Sequence, residues 1–325
     1  MRRLVLSLAG FLALSALATA SLAAPKVVTD IAPVQSLVAM VMGDLGTPGL
    51  LLPKGADPHD FQLRPSQARA LADADLVVWV GAPLSPWLDR AYSGIEAKAS
   101  LLTLLDAPDT EVRNFRDTQK ADPQGSKTDS GAQQTTLQSA GQWQNDRDPV
   151  ETGVDPHAWL DPQNAANWLP LIAAELSRLD PKNAATYRAN ATAGQATIAA
   201  SEAGIATKLA PLAAIPFVTY HQAYGYFTTH FGLAAAGSVR TGDAAAPGAA
   251  RLSALQQGLR RGDAVCLFPE VNHNPAQSAQ LIEGTATRLG GALDPAGVDL
   301  NIGPTLYVAL METLADTLAS CLSDR

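Results

Sequence analysis

Three of the five histidines, His59, His157 and His221, stand in similar surroundings, and the other two, His230 and His273, do not. His59 lies in Gly55-Ala56-Asp57-Pro58-His59-Asp60, after one strand pattern and before a helix opened by Pro65. His157 lies in Asp155-Pro156-His157-Ala158-Trp159, just ahead of a helix. His221 directly follows the strand pattern Pro216 to Tyr220 and is read as the start of the next helix. Asp294 closes the strand pattern Gly290 to Leu293 in the same way. Strand-to-helix handovers are where open α/β sheets present their ligand groups. Three imidazoles and one carboxylate suit a tetrahedral Zn²⁺ ion at about 2.0–2.2 Å. Neutral imidazole also prefers zinc, copper or nickel to calcium or magnesium. Taken singly, each histidine is more often a surface or hydrogen-bonded residue; the shared placement is what sets the four apart.

A zinc hydrolase would need an open coordination position and a general base within reach. Asp294 would fill the fourth position, no H-E-x-x-H pattern is present, and Glu270 is the one base worth considering. His230, beside Phe231, reads as ordinary packing or surface. His273, in Val271-Asn272-His273-Asn274-Pro275, reads more readily as a plain surface residue than as a rim residue of the site.

The elements that must position these residues alternate along the chain. Lys26 to Thr29, Gly49 to Leu52, Asp75 to Gly81 and Leu101 to Leu105 read as strands, with helices at Pro33 to Met42 and from Pro65. Asp75 to Gly81 is continuously apolar, as a strand covered on both faces should be. A second series has strands at Pro216 to Tyr220, Leu233 to Val239, Ala264 to Phe268 and Gly290 to Leu293, with a last helix from about Pro304 to Leu322. Such βα alternation predicts parallel sheets flanked by helices. Asn164 to Leu179 is helical, and the Ala-rich stretch Asn183 to Leu209 predicts one helix of about 40 Å at 1.5 Å per residue. The fold class is therefore α/β: two parallel-sheet lobes joined by one long helix, with the site in the cleft between them. Residues 25–182 form the N-terminal lobe, 183–212 the linking helix and 213–325 the C-terminal lobe. Residues 109–153 are polar and without apolar periodicity, and are expected to form a mobile surface insertion.

Arg2 and Arg3, the apolar run Leu4 to Ala20 and the small residues after it have the layout of a secretory signal peptide, assigned to residues 1–24. Without the two arginines the formal charge moves from −8 to −10. Such an acidic chain is a poor partner for nucleic acid or an anionic membrane. Export would place the two cysteines, Cys266 and Cys321, in an oxidising compartment. They are either bridged, closing a 55-residue loop for a chain-entropy gain of roughly 4 kcal/mol, or two buried thiols.

Longer stretches carry a resemblance. Pro53 to Ser66 (PKGADPHDFQLRPS), DPHAWLDP at 155–162 and YHQAYGYFTTHFGL at 220–233 resemble the three ligand segments of the cluster A-I solute-binding proteins of metal ABC transporters. CLFPE at 266–270, GGALDPAG at 290–297 and ASCL at 319–322 resemble its zinc-binding, ZnuA-type branch, and the likeness spans nearly the whole mature chain. The resemblance implies His59, His157, His221 and Asp294 as zinc ligands and Cys266–Cys321 as a disulfide. It also implies a monomeric periplasmic carrier that hands Zn²⁺ to an inner-membrane ABC permease and is not an enzyme. Manganese-binding relatives carry a carboxylate where His221 stands, and related adhesins share the fold. Two departures mark this chain: residues 109–153 hold no histidine where ZnuA-type proteins often have a His-rich segment, and Pro58 stands where some relatives have an acidic residue.

Overall fold

The computed structural model describes residues 24–94, 99–115, 153–240 and 247–324. The expected signal peptide, apart from its last residue, and residues 116–152 of the expected insertion lie outside them. The N-terminal series comprises β1 (Val27–Thr29), α1 (Ala32–Met42), β2 (Gly49–Leu50), α2 (Pro65–Ala72), β3 (Leu76–Trp79), α3 (Pro86–Gly94) and β4 (Ser100–Thr103). A short ribbon follows, β5 (Arg113–Asn114) against β6 (Val154–Asp155), antiparallel. The two edges of the insertion are thus zipped together rather than loose. Next come α4 (Pro162–Leu179) and α5 (Ala184–Leu209). The C-terminal series is β7 (Phe217–His221), α6 (Gly225–His230), β8 (Ala235–Arg240), α7 (Ala249–Arg261), β9 (Cys266–Phe268), α8 (Pro275–Ile282), β10 (Arg288–Leu289) and α9 (Leu306–Ser323).

Both main sheets are four-stranded and parallel, ordered β2-β1-β3-β4 and β10-β9-β7-β8. Counted from its own first strand, each series has the order 2-1-3-4, so the two lobes repeat one topology. All strand C-termini in a lobe then face one way, and the order reverses between β1 and β3 and between β7 and β9. Such a switch point leaves a crevice beyond the strand ends.

Two strand expectations are corrected. His221 is the last residue of β7 rather than the first of a helix, and a turn through residues 222–224 precedes α6. The last strand pairs at Arg288–Leu289, not over Gly290 to Leu293; only Leu293 rejoins the sheet, in a bridge to Glu270. Gly290 and Gly291 bring no side chains to hold a strand, and although Gly290 N still donates to Leu267 O at 2.8 Å, the Phe268 ring lies so close that a Cβ at Gly290 would sit 2.3 Å from it.

The linking helix is held on several sides. α5 packs along α4, α1 and α9, and a Cβ at Gly194 would meet Leu169 Cδ1 at 2.8 Å, so glycine permits that close approach. Pro170 lies inside α4 and cannot donate to Ala166. Gln195 Nε2 from α5 supplies the missing donor to the Ala166 carbonyl at 3.1 Å. α9 is apolar and long enough to cross a membrane by composition, but half of it is buried against α5, α1 and β9. Tyr307 N donates to Ser36 Oγ of α1 at 3.0 Å. One continuous apolar core therefore runs from Val34 and Leu76 in the first lobe to Phe217, Phe268 and Leu314 in the second. A smaller core, with Val218, Leu255 and Leu267, fills the outer face of the second sheet.

Cys266 in β9 and Cys321 in α9 are bonded, 55 residues apart, which ties the last helix to a central strand. Replacing both with alanine should lower unfolding free energy by about 2–5 kcal/mol. Urea titration of the two proteins would show this as a lower midpoint; an unchanged midpoint would mean that the bridge adds nothing.

Candidate metal-binding cleft

Asp57-Pro58-His59 and Asp155-Pro156-His157 fold alike. The backbone N–H of His59 donates to Asp57 Oδ1 at 2.8 Å, and that of His157 to Asp155 Oδ1 at 3.0 Å. An aspartate that accepts the N–H two residues on closes a small turn, and proline between them restricts both neighbouring dihedrals. Asp294-Pro295-Ala296 repeats the device, with Ala296 N on Asp294 Oδ1 at 3.0 Å. There the aspartate itself is the candidate ligand. Gly297 N (2.8 Å) and Asp299 N (3.3 Å) also donate to its carboxylate, while burial pushes its pKa upward against those bonds.

These turns are pinned to their neighbours. Trp87 of α3 donates to the Pro58 carbonyl at 2.8 Å and stacks edge-on with Phe61 at 5.2 Å. Trp159 Nε1 donates to the Pro295 carbonyl at 2.8 Å, so the loop of Asp294 is fastened to the segment of His157. The β5–β6 ribbon joins in: the Tyr226 hydroxyl donates to the Asp155 carbonyl at 3.0 Å and accepts from Arg113 N at 2.8 Å. Gln222 Nε2, next to His221, donates to the Phe115 carbonyl at 2.9 Å.

The three histidines of the shared setting come together. The His157 and His221 rings lie 5.2 Å apart, centroid to centroid, and His59 and His157 lie 6.1 Å apart. Two imidazoles bonded at about 2.0–2.1 Å to one tetrahedral ion have centroids roughly 5 Å apart. His157 and His221 stand at that spacing, and the His59 and His157 rings stand about 1 Å farther apart. Among the described residues, no group of three or more His, Cys, Asp or Glu side chains is arranged as it stands to hold a metal ion. His157 and His221 are buried and His59 is half-buried. His157 Nδ1 sits 2.8 Å from Asp155 Oδ1, so Nε2 is the ring nitrogen turned away from that carboxylate.

The family model of ZnuA, the periplasmic component A of zinc-uptake complexes, matches residues 27–321. The chain belongs to this family. A high-affinity zinc uptake system protein ZnuA from Paracoccus denitrificans is 45% identical over 313 residues, covering 95% of this chain and 96% of that protein. The protein of the same description from Brucella suis is 33% identical over 310 residues, 91% of each chain. A crystal structure of ZnuA superposes with a TM-score of 0.71 at 22% identity, covering 92% of this chain and 99% of that one. At that identity the superposition speaks for the two-lobed fold.

Within this ZnuA-family fold the two remaining histidines, His230 and His273, also have partners. His230, at the end of α6, places Nδ1 3.0 Å from Asp161 Oδ1 and Nε2 2.8 Å from Glu202 Oε1. Asp161 caps α4 by accepting from Gln163 N at 2.8 Å, and Glu202 lies on α5. One imidazole therefore joins the first lobe, the linking helix and the second lobe. His273 stacks on Tyr220 at 4.6 Å, with Nε2 3.7 Å from Glu270 Oε1. Glu270, weighed above only as a general base, is buried and accepts the Tyr224 hydroxyl at 2.9 Å. Burial acts to raise its pKa, but His221 above all holds it below the usual carboxylate value. The partners of His230 carry no local signal in the sequence, because both are brought to it only by the packing of α4 and α5.

Burial opposes a charge on His230, yet the bonds and charges of Asp161 and then Glu202 outweigh it and raise its pKa above the ordinary 6.5. A raised imidazole pKa stabilises the fold fully below the unfolded value, and the benefit fades as pH rises through the folded value. The gap in thermal midpoint between the wild type and His230→Gln should therefore be widest at about pH 5–6.5 and narrow in alkali. A gap that grew with pH would contradict a charged His230.

Proposed function

We propose that this chain is the zinc-capturing component of an ABC uptake system in the periplasm, and that it carries its cargo between His59, His157, His221 and Asp294. The observation that carries this reading is the convergence of three imidazoles from three separate segments, two of them already at the ring spacing of a shared tetrahedral ion. An all-imidazole face disfavours manganese, calcium and magnesium, whose preferred donors are oxygens. Membership in the zinc-uptake family supports the same cargo.

His59 and His157 belong to residues 25–182 and His221 and Asp294 to residues 213–325, so we take the ion to sit between two lobes. Zinc binding would draw the His59 turn inward toward the other two rings. The apolar core shared across the lobes, with α5 and α9 crossing it, favours small shear movements over wide hinge opening. A permease in the inner membrane would then read the loaded form and receive the ion. Carriage rather than hydrolysis fits a Glu270 that is buried and bonded to Tyr224 instead of being presented to a metal-bound water.

Metal analysis and chelator competition on the mature protein should find one tightly held Zn²⁺ per chain, and His221→Ala should weaken it at least a hundredfold. Affinity should also drop as pH falls through about 6.5, since each imidazole must lose its proton to bind. Equal affinity at pH 5 and 7.5, or an unaffected His221→Ala protein, would sink the site.

A further inference from the structure

His157 and His221 are the two buried imidazoles of the cleft, and each has a buried carboxylate behind it, supplied by a different route. Asp155 reaches His157 within one tripeptide. For His221 the carboxylate comes from the neighbouring strand, through sheet register. β7 and β9 run parallel with Thr219 opposite Phe268. Continuing that register by two residues sets His221 beside Glu270. Paired residues of parallel strands project to the same face, so the two side chains are sent the same way. Glu270 is then kept from turning outward by the bridge to Leu293 and by the Tyr224 hydroxyl on Oε2 at 2.9 Å.

The same oxygen, Oε2, stands 3.5 Å from His221 Nδ1. That is just beyond a formed N–H···O bond of about 2.7–3.2 Å. Glu270 is only 7% exposed. A buried carboxylate is costly unless it is paired and hydrogen-bonded. Its described neighbours are the Tyr224 hydroxyl, His221 and, at the outer oxygen, His273 at 3.7 Å. No lysine or arginine is ion-paired with it among the described residues.

We propose that Glu270, steadied by Tyr224, is the positioning residue of His221: it accepts Nδ1–H and so turns Nε2, with its lone pair, toward the cleft. This rests on the reading of His221 as a zinc ligand. Asp155 and Glu270 then give the two lobes matching devices, each presenting a histidine with its tautomer set in advance. A zinc ion entering the cleft finds two donor nitrogens already aimed, and the buried charges behind them make both imidazoles more basic donors.

The test uses the full mature protein with ¹⁵N-labelled histidine. Long-range ¹H–¹⁵N correlation of the metal-free protein at pH 7.5 reports the His221 tautomer, and chelator competition reports zinc affinity. The wild type should show Nδ1–H on His221. Glu270→Met, which keeps bulk but removes the acceptor, should mix the tautomers and weaken zinc 10–100-fold. Glu270→Gln keeps an acceptor oxygen, so it should retain the tautomer and recover most of the affinity. An unchanged tautomer in Glu270→Met overturns the proposal, and so does a changed tautomer with zinc affinity within threefold of wild type. Should Glu270→Met fail to fold, Nε2–H on His221 in the wild type overturns it, and Nδ1–H lost in Tyr224→Phe supports it. Absence of zinc binding in the wild type would instead defeat the carrier reading, while the tautomer would still judge the link between Glu270 and His221.

Discussion

A carboxylate or amide side chain accepting the backbone N–H two residues on, across an intervening proline, recurs at five places and underlies the cleft. It shapes the turns of His59, His157 and Asp294, caps α4 through Asp161 and opens α8 through Asn274. Proline cannot donate a hydrogen bond, and it holds its own φ near −65° while pushing the preceding residue into an extended conformation. The aspartate or asparagine is thus pre-set to reach the next free N–H. These turns let the chain leave a strand or ribbon and enter a helix without leaving buried donors unmatched. Three of the four candidate ligands, His59, His157 and Asp294, sit in such turns, while His221 ends β7.

Those turns matter because the parallel sheets leave them in the right place. A parallel strand needs a crossover before the next can pair, so every strand in a lobe starts at one end and finishes at the other. Repeating the order 2-1-3-4 in both lobes gives each a switch point with room beyond the strand ends. Asp30 marks that point in the first lobe. It accepts from Val80 N at 2.9 Å across the gap between β1 and β3, and burial pushes its pKa up to about 6. His221 and Glu270 mark it in the second. The first lobe thus spends its switch point on a structural carboxylate, whereas the second places a candidate ligand there.

The lobes are not independent bodies. α9 ends in a disulfide to β9 but packs on α1, α5 takes contacts from both sides, and His230 links three segments with one ring. Polar links beside the candidate ligands, such as Trp159 to Pro295 and Gln222 to Phe115, run across the same boundary. Movement compatible with these ties is small and local.

Much of this is legible in the amino-acid sequence. The βα alternation announced two parallel-sheet lobes because apolar runs of four to seven residues, punctuated by Gly and Pro, report on local burial and turn chemistry. The Asp-Pro-His tripeptides were equally visible, since an Asx turn is made within three residues. Strand limits are less legible: Gly290 to Leu293 reads as strand, but pairing runs over Arg288–Leu289 and resumes only in the bridge of Leu293 to Glu270, because two adjacent glycines hold a strand weakly. The roles of Glu270 and His230 were out of reach for a different reason. Glu270 meets His221 across a separation of 49 positions through inter-strand register, and His230 meets Asp161 and Glu202 through helix packing. Sequence by itself determined which residues could bind and which way each local turn would fold. Only the tertiary structure decided which carboxylate stands behind which imidazole, because that depends on register and helix packing between segments far apart in the chain.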